Sequence, residues 1–248
     1  MTDLHTHTIY SDGKNTPEEM INAAIDMGVK VIGISDHSYT AFDESYCIRK
    51  TRIDEYKKEL YALKEKYCGK ADVRCGIEQD FFSDEPTDGY EYVIGSVHYI
   101  KAGKKYITVD YKPQILTEAA DTYFGGDIYS LAEEYFNTVS LLAEKIKPDI
   151  IGHFDLISKF NENGQMFKED HPRYRAAWKS ALDKLLPAGI PFEINTGAMS
   201  RGYRTSPYPS PEMRRYIIEN GGRLVLSSDA HSCDTIAYKF SDMTVKWL

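Results

Sequence analysis

Short unbroken apolar runs alternate along this chain with segments whose apolar residues recur every three or four positions. A continuous run matches a strand covered on both faces, as in a parallel sheet, and the wider spacing matches one face of a helix. The runs fall at 29–35, 72–78, 92–100, 149–154, 190–196 and 223–229, and "TDLH" near the start brings the count to about seven strands. Helical spacing is carried by Ile53, Tyr56, Leu60, Leu63 and Tyr67, and by Trp178, Ala181, Leu182 and Leu185. It is also carried by Leu131, Tyr135, Val139, Leu142 and Ile146, which reads as one helix closed by Pro148. In "TPEEMINAAIDMG", Thr16 is the expected N-cap, Pro17 the first helical residue, Glu19 the capping-box partner and Gly28 the stop. "SPEMRRYIIENGG" opens on Ser-Pro and ends in glycine in the same manner. These stripes are expected to face a core. Strands alternating with helices predict an α/β fold, either a closed parallel barrel or an open doubly wound sheet.

The polar residues separate those two. Candidate strands run into His5 and His7, into Asp36 and His37, into Glu78, His98 and His153, and into Asp229 and His231. In a closed barrel such ends converge on one point, whereas an open sheet spreads them along a line, so the barrel is favoured. Residues two apart share a strand face, so His5 with His7, and Asp229 with His231, can reach one centre together. Asp12, followed by Gly13, can fold back over the barrel mouth. Six of the seven histidines occupy such positions. A lone histidine on an apolar strand is ordinarily a satisfied core residue, and six accidents at strand ends are not expected. The exception, His171, precedes a proline and is expected to cap a helix or lie on the surface.

Imidazole plus carboxylate, without thiolate, suits zinc, iron(II) or manganese(II). Nine ligands (His5, His7, Asp12, His37, Glu78, His98, His153, Asp229 and His231) exceed what one ion takes. At about four to six ligands per ion with some bridging, two or three ions fit.

Composition narrows the setting. The chain has 248 residues, 42% of them hydrophobic, enough for one sizeable core, and a single domain over 1–248 is expected. A net charge of -8 argues against non-specific nucleic-acid or membrane-surface binding, which needs a basic face. No window approaches the roughly 18 apolar residues of a membrane span. No basic region followed by an apolar stretch opens the chain, so no secretory signal is expected. The four scattered cysteines read as reduced thiols, and the expected location is cytoplasmic.

"DLHTHT", "SDH" at His37, "GIE" at Glu78, "GSVH" at His98, "GHFD" at His153 and "SSDAH" at Asp229 together resemble the motif series of the PHP (polymerase and histidinol phosphatase) family. The resemblance spans the chain in order, and "VIGSVHYI", "GHFDLISKF" and "EINTGAMSRGYRTSPYPS" are closer still to the histidinol-phosphatase branch. It implies a distorted (β/α)7 TIM-like barrel, a trinuclear centre on the nine residues above, and hydrolysis of L-histidinol phosphate to L-histidinol and phosphate in histidine biosynthesis. The alternative within the family is another small phosphate ester, such as a nucleotide or sugar phosphate. An amidohydrolase-like barrel and a non-catalytic metal scaffold are the readings outside it; no candidate carboxylated lysine supports the former, and the complete ligand set opposes the latter.

Three divalent ions carry about +6, and Asp12, Glu78 and Asp229 offset about -3, so a surplus near +3 would draw a phosphate dianion and a bridging hydroxide. In-line attack by that hydroxide needs no side-chain nucleophile, and none is assigned. Arg201 and Arg204, in "SRGYR", are the candidate phosphate contacts, since a guanidinium fork matches phosphate bidentately. Asp155 is expected to orient a ligand histidine or to cap the following helix. Asp36, on the opposite strand face from His37, is expected to be structural. The segment 38–46, with Phe42, Asp43 and Glu44, and the long insertion after His98 are candidate covers for the mouth. Substrate amine and imidazole call for carboxylates and aromatic edges there. Oligomeric state is not readable.

Overall fold

The computed structural model describes residues 1–246, so Trp247 and Leu248, the end of the expected domain, lie outside the described residues. β1 (Thr2–Asp3), α1 (Pro17–Asp26), β2 (Val31–Ile34), α2 (Ile53–Lys66), β3 (Asp72–Asp80) and β4 (Tyr92–Ser96) alternate through the first half. An insertion follows, made of the hairpin β5 (Tyr99–Ala102) and β6 (Lys105–Thr108) and the helix α3 (Pro113–Tyr123). The second half runs α4 (Ile128–Val139), α5 (Leu142–Lys145), β7 (Ile150–Ile151), α6 (Pro172–Leu185), β8 (Phe192–Asn195), α7 (Gly197–Ser200), α8 (Pro211–Glu219), β9 (Leu224–Ser227) and α9 (Phe240–Lys246).

Seven parallel strands form one sheet in the order β1-β2-β3-β4-β7-β8-β9. Its two edges meet just beyond the assigned strands. Thr6 and Ala230 form a parallel bridge, and the His7 N–H donates to the Ala230 carbonyl at 2.8 Å. The sheet is therefore a nearly closed barrel, as the convergence of strand ends required.

Local sequence accounts for the elements. Thr16 caps α1 with the full reciprocal box: its hydroxyl accepts from the Glu19 N–H, and the Glu19 carboxylate accepts from the Thr16 N–H. His171 caps α6, accepting from the Arg173 N–H. The apolar stripes of α2, α4 and α6 are buried against the barrel through Tyr56, Leu60, Tyr135, Phe136, Trp178 and Leu182. Inside, the Tyr92 ring crosses the barrel and donates to the Leu4 carbonyl at 2.5 Å. It passes so close to Gly33 and Gly76 that a Cβ at either would lie 2.0–2.2 Å from a ring or hydroxyl atom, which explains both glycines.

Two expected elements are divided. The single helix expected across Leu131–Ile146 breaks at Ser140. There the Thr138 and Ser140 hydroxyls donate to the Glu134 and Asn137 carbonyls, competing with the helical ladder. The run 92–100 splits because the Asp80 carboxylate takes the His98 N–H at 3.0 Å, ending β4 at Ser96 and starting the hairpin at Tyr99. Among the described residues no helix is long and apolar enough to cross a membrane, and all four cysteines are free.

Candidate metal centre

Each expected ligand lies in the C-terminal part of a strand or in the loop that follows it, at the same end of the barrel. Beyond β1 the chain carries His5 and His7 and then turns back, because Asp36 gathers the turn. Its Oδ1 accepts from the Thr8 N–H (2.7 Å) and the Ser11 hydroxyl (2.5 Å), and its Oδ2 accepts from the Thr8 hydroxyl (2.8 Å). Asp36 is thus structural, as expected, and the turn it holds delivers Asp12 to the mouth. Gly13 is needed at the fold-back, since a Cβ there would sit 2.5 Å from the His7 carbonyl.

Glu78 is the hub. Its Oε2 lies 2.7 Å from His37 Nδ1, 3.3 Å from His5 Nε2 and 3.6 Å from His7 Nε2. Its Oε1 lies 2.9 Å from His153 Nε2 and 3.4 Å from His98 Nε2. Asp229 Oδ1 stands 3.2 Å from His7 Nε2. Asp12 Oδ1 stands 3.3 Å from His231 Nε2 and 3.6 Å from His37 Nε2. All nine residues expected from the sequence are therefore brought together. Three sets of donor atoms lie mutually within 4.8 Å: His7, Asp12, His37 and His231; His5, His7 and Asp229; and His37, Glu78 and His98.

The donor set fits divalent cations. His5 Nε2, both His7 ring nitrogens and Glu78 Oε2 are buried without a hydrogen-bond partner, an expense that a coordinated ion would remove. Burial and the neighbouring His231 and His37 hold the His7 imidazole well below its usual value, so it offers a neutral lone pair. Burial alone would raise the Glu78 carboxyl, but His37, His5 and His98 outweigh it and keep it well below the carboxylate range. Asp229 has a left-handed backbone, φ 51°, and packs so tightly on Gly197 that a Cβ there would lie 2.5 Å from its Oδ2. Strain of this kind costs on the order of 1–3 kcal/mol and persists where surrounding contacts over-determine it.

Two carboxylates beside the centre were not expected. Glu193 Oε1 lies 2.7 Å from His5 Nδ1, and Asp80 Oδ2 lies 3.1 Å from His98 Nδ1. With Arg201 counted as well, the formal surplus at a three-ion centre falls from about three to about two.

The nearby cavity, about 470 Å³, is lined on one side by six of the expected ligands, Asp12, His37, His98, His153, Asp229 and His231, and by Arg201. Arg201 Nη1 lies 2.8 Å from His231 Nδ1, and its Nη2 donates to Asp229 Oδ2 at 3.1 Å. Arg204 departs from expectation. It is absent from the cavity lining, and its guanidinium is held by the Ser158 carbonyl (2.7 Å), Glu169 (3.0 Å) and Glu162 (3.3 Å). Asp155 departs too: it neither touches a ligand histidine nor caps the turn Leu156–Ser158, but accepts the Ser210 N–H at 3.1 Å. Burial, against the pull of Arg204, pushes its carboxyl up to about 7.

The cavity's other side comes from the two expected covers. Asp43, Ser45 and Tyr46 reach it from the segment after His37, and Tyr99, Thr108, Asp110 and Tyr111 from the insertion. Phe42 stacks on Tyr106 (3.8 Å between centroids) and meets Tyr99 edge-on, so the covers are locked to each other. Glu44 lies outside this lining and accepts from the Tyr39 hydroxyl.

Among known families, the model described as "PHP domain" matches residues 3–197. The chain is 30% identical over 253 residues to a probable histidinol-phosphatase of Deinococcus radiodurans, covering 98% of this chain and 90% of that protein. Its fold is similar to that of a putative histidinol phosphatase from Listeria monocytogenes (TM-score 0.82, 19% identity, 98% and 99% coverage). It is also similar to a histidinol phosphate phosphatase from Lactococcus lactis solved with zinc, L-histidinol and phosphate (TM-score 0.66, 19% identity, 94% and 86% coverage).

Proposed function

The chain belongs to the PHP family, and from that premise we propose that it is a metal-dependent phosphomonoesterase hydrolysing L-histidinol phosphate to L-histidinol and inorganic phosphate. The observation that carries this reading is the placing of five imidazoles around the buried Glu78 carboxylate, beside a substrate-sized cavity that His37, His98 and His153 line. A volume of about 470 Å³ lies within the range of small-molecule sites, about 300–1,000 Å³.

The nine residues would hold two to three divalent ions of zinc, iron or manganese; three sets of converging donors support three. Such ions supply Lewis acidity to phosphoryl oxygens, to an attacking water and to the departing alkoxide. The remaining work falls to side chains. Arg201 faces the phosphoryl group from beside Asp229 and His231. On the opposite wall Asp43 and Asp110 face the organic half of the substrate with tyrosines Tyr46, Tyr99 and Tyr111. Burial would raise the Asp43 carboxyl, but hydrogen bonds from Ser45 and Tyr99 bring it below its usual value, so it stays anionic. Asp110 accepts from Lys159, which anchors it against the barrel. An acidic, aromatic wall favours a leaving group that carries an ammonium and an imidazole over a sugar or nucleoside. The interlocked covers over it narrow the approach to the reacting centre.

Phosphate release from histidinol phosphate, AMP, a sugar phosphate and p-nitrophenyl phosphate tests the reading. The expected result is kcat/KM for histidinol phosphate at least about 100-fold above the others, the scale of one well-used charged contact. Turnover of histidinol phosphate no better than that of the generic ester would overturn the substrate assignment.

A further inference from the structure

Six of the seven barrel strands lead into an expected metal ligand, and β8 does not. β8 nevertheless turns two polar residues inward, Glu193 and Asn195, both fully buried. Glu193 Oε1 accepts from His5 Nδ1 at 2.7 Å, across 188 positions of sequence. Its Oε2 accepts the His153 backbone N–H and the Asn195 amide, both at 3.0 Å. The Asn195 amide also lies 3.4 Å from Asp229 Oδ2, and its carbonyl oxygen accepts the Gly197 N–H at 2.9 Å. Asn195 is itself fixed, exchanging both backbone hydrogen bonds with Tyr208. One carboxylate and one amide thus touch three ligand-bearing segments, those after β1, β7 and β9. Asp80, by comparison, engages His98 alone among the expected ligands.

The chemistry of imidazole makes this arrangement directional. A ring whose Nδ1–H is donated to a carboxylate carries its lone pair on Nε2. For His5 that Nε2 is buried, without a hydrogen-bond partner, and faces Glu78 Oε2 at 3.3 Å and Asp229 Oδ1 at 3.9 Å. A carboxylate buried only for packing would have no reason to sit where it selects a tautomer. We infer that Glu193, with Asn195 as its brace, is the positioning residue of the metal centre: it sets His5 to present Nε2 and holds the His153 and Asp229 segments at the matching spacing. The inference rests on the reading of His5 as a metal ligand and is independent of which phosphate ester is hydrolysed.

The test is zinc binding by the full chain, stripped of metal and titrated against a chromophoric chelator, for wild type and Glu193→Gln. The variant keeps the volume of the side chain but loses the charge and one acceptor. Expected are zinc affinity about 10–100-fold weaker, circular dichroism unchanged in the metal-free state, and kcat recovered by excess zinc. Wild-type zinc affinity and stoichiometry in Glu193→Gln would overturn the inference. Should the variant fail to fold, 15N spectra of the zinc-loaded wild type decide: His5 is expected protonated at Nδ1 with Nε2 bound to zinc, and an unprotonated Nδ1 would overturn the inference. A wild type that binds no zinc, iron or manganese overturns the metal-centre reading and this inference with it. A wild type that binds zinc, with the expected Glu193→Gln defect, but ignores histidinol phosphate overturns the substrate assignment alone.

Discussion

Arg201 and Arg204 lie three residues apart on one loop, and their surroundings assign them different work. Arg201 reaches Asp229 and His231 inside the cavity, while Arg204 is clasped by Ser158, Glu162 and Glu169 beneath it. Arg201→Ala is expected to lower kcat/KM for histidinol phosphate by about 100-fold, the cost of losing one donor to developing phosphoryl charge. Arg204→Ala is expected to leave kcat/KM within several-fold and instead to remove about 1–3 kcal/mol of stability, since the Ser158 carbonyl is stranded and two partly buried carboxylates lose their cation. Urea melts beside kinetics on both variants read this out, and equal kinetic losses would contradict the division. The two arginines could not be told apart in the sequence, because residue type and distance from the strand are alike. The convergence of the nine candidate residues was legible, because strand ends in a barrel converge whatever the details of packing. Glu193 went unread although its signal was present: Glu193 and Asn195 alternate with Phe192 and Ile194, so a polar face already pointed inward.

At the scale of elements, the hairpin β5–β6 and the segment after β2 form one cover through Phe42, Tyr99 and Tyr106. Tyr99 also donates to Asp43 at 2.8 Å, tying the aromatic contact to the acidic wall. Phe42→Ala is expected to cost about 0.5–1.5 kcal/mol beyond lost area. Because Phe42 lies outside the cavity lining, KM for histidinol phosphate should rise several-fold while kcat falls less. An unchanged KM would show that the cover closes without this stack. The short helix-strand alternation was readable from apolar patterning, since most positions of β2, β4, β7 and β8 are buried whichever face they occupy. The breaks at Ser140 and at His98 were not, for a physical reason. Periodicity records which residues face the core, and both breaks keep the same residues facing it while redirecting only backbone hydrogen bonds.

For the molecule as a whole, the centre is a liability without cations: five imidazoles and several carboxylates are buried together with atoms that lack partners. Ions that bind only the folded form stabilise it by mass action, about 4 kcal/mol at a thousand-fold excess over Kd. For a domain of this size that corresponds to a rise in Tm on the order of 10 °C. Calorimetry of chelator-stripped protein before and after zinc is expected to show it, and an unchanged Tm would argue that the cluster contributes nothing to the fold. An overall charge of -8 would not prevent a cationic surplus at a metal-loaded centre, because such a surplus would be local to the barrel mouth.

The seam between Thr6 and Ala230 has a consequence for synthesis on the ribosome. His5 and His7 leave the exit tunnel more than two hundred residues before the segment against which they are stitched. Until β9 is made, these imidazoles would face an unclosed sheet. A nascent chain halted before β9 would consequently be an incomplete chelator rather than a slow enzyme, and ion capture would have to wait for the Asp229–His231 segment.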